Sequence, residues 1–432
     1  MTTPRDLRVK AAALRSAHDT LRPALELYLA LHSRPELPGR EHRTAARLAR
    51  EAADAGFTVT RDVGGHGVVA VLRSGDGPAV MLRAELDALP VRERTGLPYA
   101  SKIRAMGTDG RHTPVMHACG HDAHLAALVA TARALAGPQA RGEWSGTLLL
   151  VGQPAEETLT GARAMLADGL YTRFPRPDTV LAQHLAPLPT GCVAHAAGPA
   201  TAAGVTLAVT VRGHGGHAAL PWLGGNPLEA AAAAVTRLRP LMPAGVLLTT
   251  GTFHSGEQAN VLPERADLTL GVRGFDEAAV ARAAATVEAV FHEAGTGDLS
   301  VTVAPRTPLV PCQTGDLVLR AAVRHAHEAV LGPTRVLTCP PSTAVEDFAW
   351  YGPAGAALHG APAVRTAYWM TGATGPAQWR AAPGTTAREK LAALPPNHSP
   401  RFAPDPVPTL RTAVAALTAA ALRSLGPGSG SG

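Results

Sequence analysis

The sequence predicts an α/β protein: a mixed, mostly parallel sheet between helices, carrying an inserted ferredoxin-like α+β domain. Three observations lead there. Apolar runs with polar ends (AVMLRAEL at 79–86, GTLLLVGQPAEE at 146–157, DTVLAQHL at 178–185) alternate with helical periodicities, as in a sheet covered on both faces. Near residue 200 this pattern gives way to strands and helices in the order β-α-β-β-α-β, the ferredoxin-like split unit. From Pro308 the α/β style resumes. The expected divisions are 1–199 and 307–424 for one discontinuous domain, 200–306 for the insert, and 425–432, rich in glycine and serine, for a flexible tail.

The elements follow in chain order. EHRTAARLAREAADAG (41–56) has helical spacing, with Gly56 as the stop. TVTRDV and VVAVLR are short strands, and AVMLRAEL reads as a buried central one. Asp122 is placed to N-cap a helix over 123–137, which Gly137 ends. GTLLLVGQPAEE and DTVLAQHL are buried strands that run into polar ends. In the insert, VTLAVTVRGHG alternates as a half-exposed strand, and PLEAAAAAVTRLRP is a helix. VLLTTGTF and ADLTLGVRG are strands, followed by the helix DEAAVARAAATVEAVFHEAG and the strand LSVTVA. A helix at 315–330 and a strand near 362–369 complete the first domain.

Composition narrows the class. Apolar residues make up 46% and charged residues 17% of 432, which suits a globular protein with a large core. The formal charge is +6, but the arginines are scattered and not interleaved with aromatics, so no nucleic-acid partner is expected. Four cysteines, at 119, 192, 312 and 339, show no paired spacing and form no disulfide framework. The first residues contain no apolar signal core, and no run of about eighteen apolar residues occurs. A cytoplasmic protein with no membrane partner is the expectation.

Chemistry concentrates in VMHACGHDAHLA (115–126), which holds three histidines, a cysteine and an aspartate. It can be a metal site, a cysteine nucleophile with its base, or a histidine-rich helix start. Polar residues also close the buried strands: Glu85 and Asp87, Glu156 and Glu157, and His184. The ends of parallel strands are where α/β folds keep their sites. Thiolate, imidazole and carboxylate together suit zinc or a similar first-row metal. A nucleophilic Cys119 would leave QPAEE and His184 without a task, so metal accounts for more of the residues.

These residues resemble the aminoacylase–carboxypeptidase family of metal-dependent peptidases, in the branch of hippurate hydrolases, N-acyl-amino-acid amidohydrolases and auxin-conjugate hydrolases. The resemblance runs in order through HSRPEL (32–37), LRAELDALP (82–90), GLPYAS (96–101), MHACGHDAH (116–124), QPAEE (153–157), His184, RGHGGHAALP (212–221), QANVLPE (258–264), VEDFAWY (345–351) and NHSPRF (397–402). It implies a catalytic domain with two divalent ions, zinc first with manganese, cobalt or nickel as options. It also implies an inserted lid or dimerisation domain and a homodimer formed through it. By motif, the implied ligands are Cys119, His121, Glu157, His184 and His398, with Glu156 as general base and Asp87 as the carboxylate that orients a ligand. His217 and Asn260 are implied to meet the substrate amide, and Arg273 its carboxylate. The implied reaction is hydrolysis of an N-acyl amino acid to a carboxylic acid and a free amino acid. The alternatives are a metallo-dipeptidase or carboxypeptidase of the same family and a non-catalytic relative that only binds metal or ligand.

The chain departs from the branch in places. Glu85 stands where an aspartate is usual, Trp222 follows Pro221 where a second lid histidine is usual, and TLTGA replaces a glycine-rich segment after QPAEE. SKIRAMGTDGRHTPV, ahead of His117, is expected to be a surface loop.

Overall fold

The structure is a computed structural model that describes residues 3–107, 110–137, 140 and 142–428. The chain forms two compact units: Met1–Gly198 with Gly315–Pro340 and Trp350–Gly432, and Pro199–Thr314 with Pro341–Ala349. The expected second crossing at 306 lies instead at 314. A later segment, 341–349, joins the inserted unit because its strand Ser342–Val345 pairs in parallel with Thr201–Arg212.

In the first unit a mixed sheet runs in the order Thr58–Val63, Gly67–Ser74, Trp144–Gln153, Ala79–Glu85, Thr179–Pro189, Arg365–Thr374, Val193–Ala196, Val336–Cys339. The central strand Ala79–Glu85 pairs in parallel with Trp144–Gln153 and Thr179–Pro189, and the latter pairs in parallel with Arg365–Thr374. Val80, Met81 and Leu82 are fully buried, so a continuous apolar run marks a strand covered on both faces. The helices His121–Ala136 and Pro406–Ser424 are buried nearly all round. Their alanine-rich surfaces let helix backbones approach closely in one core with Leu27, Leu82, Leu128, Leu150 and Leu417.

Two further expectations change here. The start of the tail is ordered, since Gly426–Pro427 pairs with Ser145 and Trp144; residues 429–432 lie outside the described residues. The segment before His117 contains a two-stranded antiparallel ladder, Arg104–Met106 with His112–Pro114; residues 108–109 also lie outside the described residues. Ile103 and Ala105 there pack on Leu37, Ala88 and Val115, so the segment has its own small apolar contact.

The second unit is built as the β-α-β-β-α-β pattern predicts. Its sheet runs Val246–Ser255, Arg265–Gly274, Thr201–Arg212, Ser300–Pro305, all antiparallel, with Ser342–Val345 added beside Thr201–Arg212. Alternate residues Val205, Leu207, Val209 and Val211 face the core with Val280, Val287 and Phe291 of the helix Glu277–Ala294. Asp276 starts that helix by accepting from the Ala278 and Ala279 N–H groups. Val246–Ser255 is an edge strand and is largely exposed. No helix among the described residues is long and apolar enough to cross a membrane.

Candidate metal centre

The loop before the helix His121–Ala136 sets the geometry. Gly120, at φ +88°, is the N-cap, and a Cβ there would lie 3.0 Å from Leu185 Cδ1. Glycine therefore lets the chain turn from Cys119 directly into the helix. The helix begins at His121, so Asp122 sits in its first turn and not at its N-cap. The Asp122 carboxylate instead pairs through Oδ2 with His32 Nδ1 at 2.7 Å, and His32 Nε2 reaches Glu93 Oε1 at 3.2 Å.

Five side chains converge from separate elements. Cys119 Sγ lies 3.3 Å from His184 Nε2 and 3.3 Å from His398 Nε2. His398 Nε2 is also 3.3 Å from Glu157 Oε1, and His121 Nε2 is 3.9 Å from the same oxygen. Glu156 stands beside them, its Oε2 3.8 Å from His121 Nε2. Asp87 contacts both halves: its Oδ1 is 3.3 Å from His121 Nδ1, and its Oδ2 accepts the Glu157 N–H at 2.9 Å. His184 was expected at a strand end, but its strand continues to Pro189 because Thr374 pairs there. His184 is thus mid-strand.

Further contacts meet at the Leu185 peptide. His124 Nε2 accepts the Leu185 N–H at 2.8 Å, so its proton sits on Nδ1, which donates to Glu85 Oε2 at 2.8 Å. Glu85 also pairs with Arg83, which donates through Nε to Gln153 Oε1 at 2.9 Å. The Leu185 carbonyl accepts from His184 Nδ1 at 2.8 Å and from Asn397 Nδ2 at 3.1 Å, and Asn397 also donates to the Cys119 carbonyl at 3.1 Å. His398 is held at φ +69° while its N–H donates to the Ala118 carbonyl at 2.8 Å. His124 and Asn397 lie in motifs singled out in the sequence, but neither was given a role there. The i, i+3 spacing in HDAH was the available signal for the first. Adjacency to His398 was the signal for the second.

The electrostatics suit a bound cation. Burial, then the Glu157 and Glu156 carboxylates, push the Cys119 thiol well above its ordinary value. Burial, then His124, lowers His184 to about 3. Burial alone would lower His121, but hydrogen bonding to Asp87 and the charges of Glu85, Asp87 and Glu157 outweigh it and raise it to about 10. Among the described residues, His121 Nε2 and Glu157 Oε1 are buried with no hydrogen-bond partner, and a single thiol proton cannot serve both imidazoles facing it. His184 and His121 each have Nδ1 on a backbone carbonyl, which aims Nε2 inward, the orientation of a metal-binding imidazole. Cys119, His121 and His184 group within metal-ligating range, as do Cys119, Glu157 and His398, and His121, Glu156 and Glu157. The donor set fits divalent ions.

The remaining expected residues belong to the second unit. His217 pairs with Val261 in the short ladder Gly216–His217 with Val261–Leu262, and the Ala218 N–H donates to the Asn260 carbonyl at 3.1 Å. The Ala219 N–H donates to His217 Nδ1 at 3.0 Å, which leaves Nε2 to carry the ring proton. Arg273 is not with them. It lies at the far end of Arg265–Gly274, opposite Leu247 and Gly204, with its Nε buried and unpartnered. Trp222 is 73% exposed.

A sheet enzyme with cysteine, histidine and carboxylate donors gathered beside its parallel strands, and an inserted α+β unit, is the architecture of a metal-dependent hydrolase. The chain belongs to the peptidase family M20/M25/M40, whose model matches residues 81–381. It is 33% identical over 330 residues to an N-acetyl-L-cysteine deacetylase of Bacillus subtilis, covering 74% of this chain and 75% of that protein. It is 34% identical over 254 residues to a hippurate hydrolase of Campylobacter jejuni, covering 57% of this chain and 63% of that protein. The crystal structure of the Bacillus subtilis YXEP protein, described as a dinuclear metal binding peptidase of the M20 family, shares the fold. Its TM-score is 0.67 at 24% identity, over 94% of this chain and 99% of that one.

Proposed function

We propose that this protein is a two-metal amidohydrolase that cleaves N-acyl amino acids to a carboxylic acid and a free amino acid. The observation that carries the reading is the convergence on Cys119 and His121 of His184, His398 and Glu157, with Glu156 beside them. In this reading Cys119, His121, Glu157, His184 and His398 hold two divalent ions, zinc first among zinc, manganese, cobalt and nickel. Bound there, the ions would acidify a water and polarise the scissile carbonyl. Glu156 accepts the water's proton and delivers it to the departing amide nitrogen. Asp87 holds the His121 ring and the Glu157 backbone in place for that step. His217 donates through Nε2 to the developing oxyanion, with Asn260 beside it, a contribution of about 3–4 kcal/mol by analogy with other acyl-transfer sites. Arg273 grips the substrate carboxylate with its planar fork. A cytoplasmic location suits a thiolate ligand and four unpaired cysteines.

The same reading calls for a homodimer. Eight residue steps from Arg265, next to the His217 hairpin, to Arg273 span about 27 Å of strand, far longer than an N-acyl amino acid. His217 with Asn260 and the Arg273 of the same chain therefore cannot meet on one substrate molecule, and two copies of the chain would each lend one of these groups to the other's site. Val246–Ser255, paired on one side only, is one edge that could join them. The test is a panel of N-acetyl, N-benzoyl and indole-acetyl amino acids, with unblocked dipeptides as controls, assayed after chelation and after zinc, manganese or cobalt is restored. Metal-dependent release of amino acid from the acylated compounds supports the reading. Cleavage of the dipeptides alone, or turnover that survives chelation, sinks it.

A further inference from the structure

We infer that Glu41 is a positioning residue for Glu156 and Glu157, its buried carboxylate holding the backbone turn on which both acids stand. Glu41 is fully buried, at the N-cap of the helix His42–Asp54, yet its side chain does not cap that helix. Its Oε1 accepts the Gly39 N–H and the Ala155 N–H, each at 2.8 Å, across 114 residues of chain in the second case. Among the described residues Oε2 has no hydrogen-bond partner and the group makes no ion pair.

The turn it holds is an unusual one. Ala155 has φ +50° and Leu159 φ +57°, both in the left-handed region that non-glycine residues rarely adopt. The Ala155 carbonyl accepts from the Thr160 and Gly161 N–H groups at 3.3 Å, and the Glu156 carbonyl accepts from Leu159 at 2.6 Å. The Ala155 N–H goes to Glu41 and the Glu157 N–H to Asp87 Oδ2. Glu156 thus stands between two backbone N–H groups, each fixed by a buried carboxylate from a different part of the sheet unit. A left-handed residue persists where its surroundings over-determine it, and the Glu41 contact fixes Ala155 on its N–H side. Accepting from an amide needs an oxygen at the right reach and not a charge, which separates this role from an electrostatic one.

The inference rests on reading Glu156 as the base and Glu157 as a ligand, and the experiment keeps the two failures apart. Glu41→Gln keeps an acceptor oxygen at the same reach, whereas Glu41→Asp keeps the charge and withdraws the oxygen by one methylene. Both are compared with wild type as metal-loaded enzyme. The readouts are thermal melting, zinc affinity by calorimetry, the ligand-field spectrum of the cobalt-substituted protein, and kcat and KM separately. Glu41→Asp should melt cooperatively, lose about 100-fold in kcat with KM within about threefold, bind zinc about tenfold more weakly, and show an altered cobalt spectrum. Glu41→Gln should remain within about fivefold of wild type in kcat and zinc affinity, with the wild-type cobalt spectrum. A wild-type spectrum and kcat in Glu41→Asp, equal damage in both variants, or loss of the fold in Glu41→Asp would each overturn the inference. Glu156→Gln in the same assays tests the underlying reading alone: wild-type turnover there defeats that reading whatever Glu41 does.

Discussion

Cys119 is the residue on which the two imidazoles of His184 and His398 close, and its thiol is held protonated by burial and by Glu157 and Glu156. A bound cation would reverse that balance, so in the proposed reading the thiolate forms as the metal binds. Cys119→Ser should therefore weaken zinc binding by about 100-fold or more, since a hydroxyl is a poor ligand; calorimetry against a competing chelator measures it. Full metal content with loss of a covalent acyl-enzyme would make Cys119 a nucleophile instead. A second residue acts through stability. Burial opposes charge on His32, but the hydrogen bonds its ring donates to Asp122 and Glu93 outweigh it and raise the group to about 10. The folded-state value lies above the ordinary one, so the stabilisation is complete below about pH 6.5 and disappears as pH rises to about 10. In denaturant titrations between pH 6.5 and 10, His32→Asn should be less stable than wild type at the lower pH, and the difference should shrink toward the upper limit. A pH-independent difference would refute the ion-pair account.

At the scale of elements, the turn after Trp144–Gln153 is where sequence and geometry meet most closely. TLTGA keeps one glycine, and that glycine is the one the fold demands: a Cβ on Gly161 would lie 1.6 Å from the Pro154 carbonyl oxygen. Gly161→Ala should therefore cost about 3 kcal/mol or more and reduce metal affinity, read by melting and by calorimetry; a variant with wild-type values would show that the turn is soft. Leu159, by contrast, occupies a left-handed position that glycine would fill without strain. The strands and helices were legible because burial on both faces writes continuous apolar runs, and amphipathic packing writes a 3.6-residue period. The helix start was misplaced by two residues because Asp122, a good N-cap type, is drawn to His32, and left-handed Gly120 takes the cap. His184 looked terminal because the apolar run stops there, while the ladder to Arg365–Thr374 goes on through backbone groups that carry no side-chain signature. The contacts of Glu41, Asn397 and His124 link positions dozens to more than two hundred residues apart, and no local pattern encodes such distances.

At the scale of the whole molecule, the account needs two chains. Recovery of activity on mixing inactive Glu156→Gln and inactive His217→Ala subunits is the expected outcome, because one active site then combines an intact base with an intact lid from its partner. Mixed dimers that form and stay inactive would place each lid over its own subunit. A strictly monomeric protein with full activity would remove the proposal. His217→Ala alone should keep its metal and lose kcat by about 100-fold or more with little change in KM, since an oxyanion donor acts in the transition state. The most direct test of the central claim is a paired measurement on Glu156→Gln: metal per chain by elemental analysis, and turnover of an N-acyl amino acid by the same preparation. The amide keeps the shape of the side chain but takes no proton near neutral pH. The account predicts the wild-type metal content, two ions per chain, with turnover abolished. Loss of metal together with activity would make Glu156 a ligand, and turnover retained at the wild-type rate would contradict its role as the base.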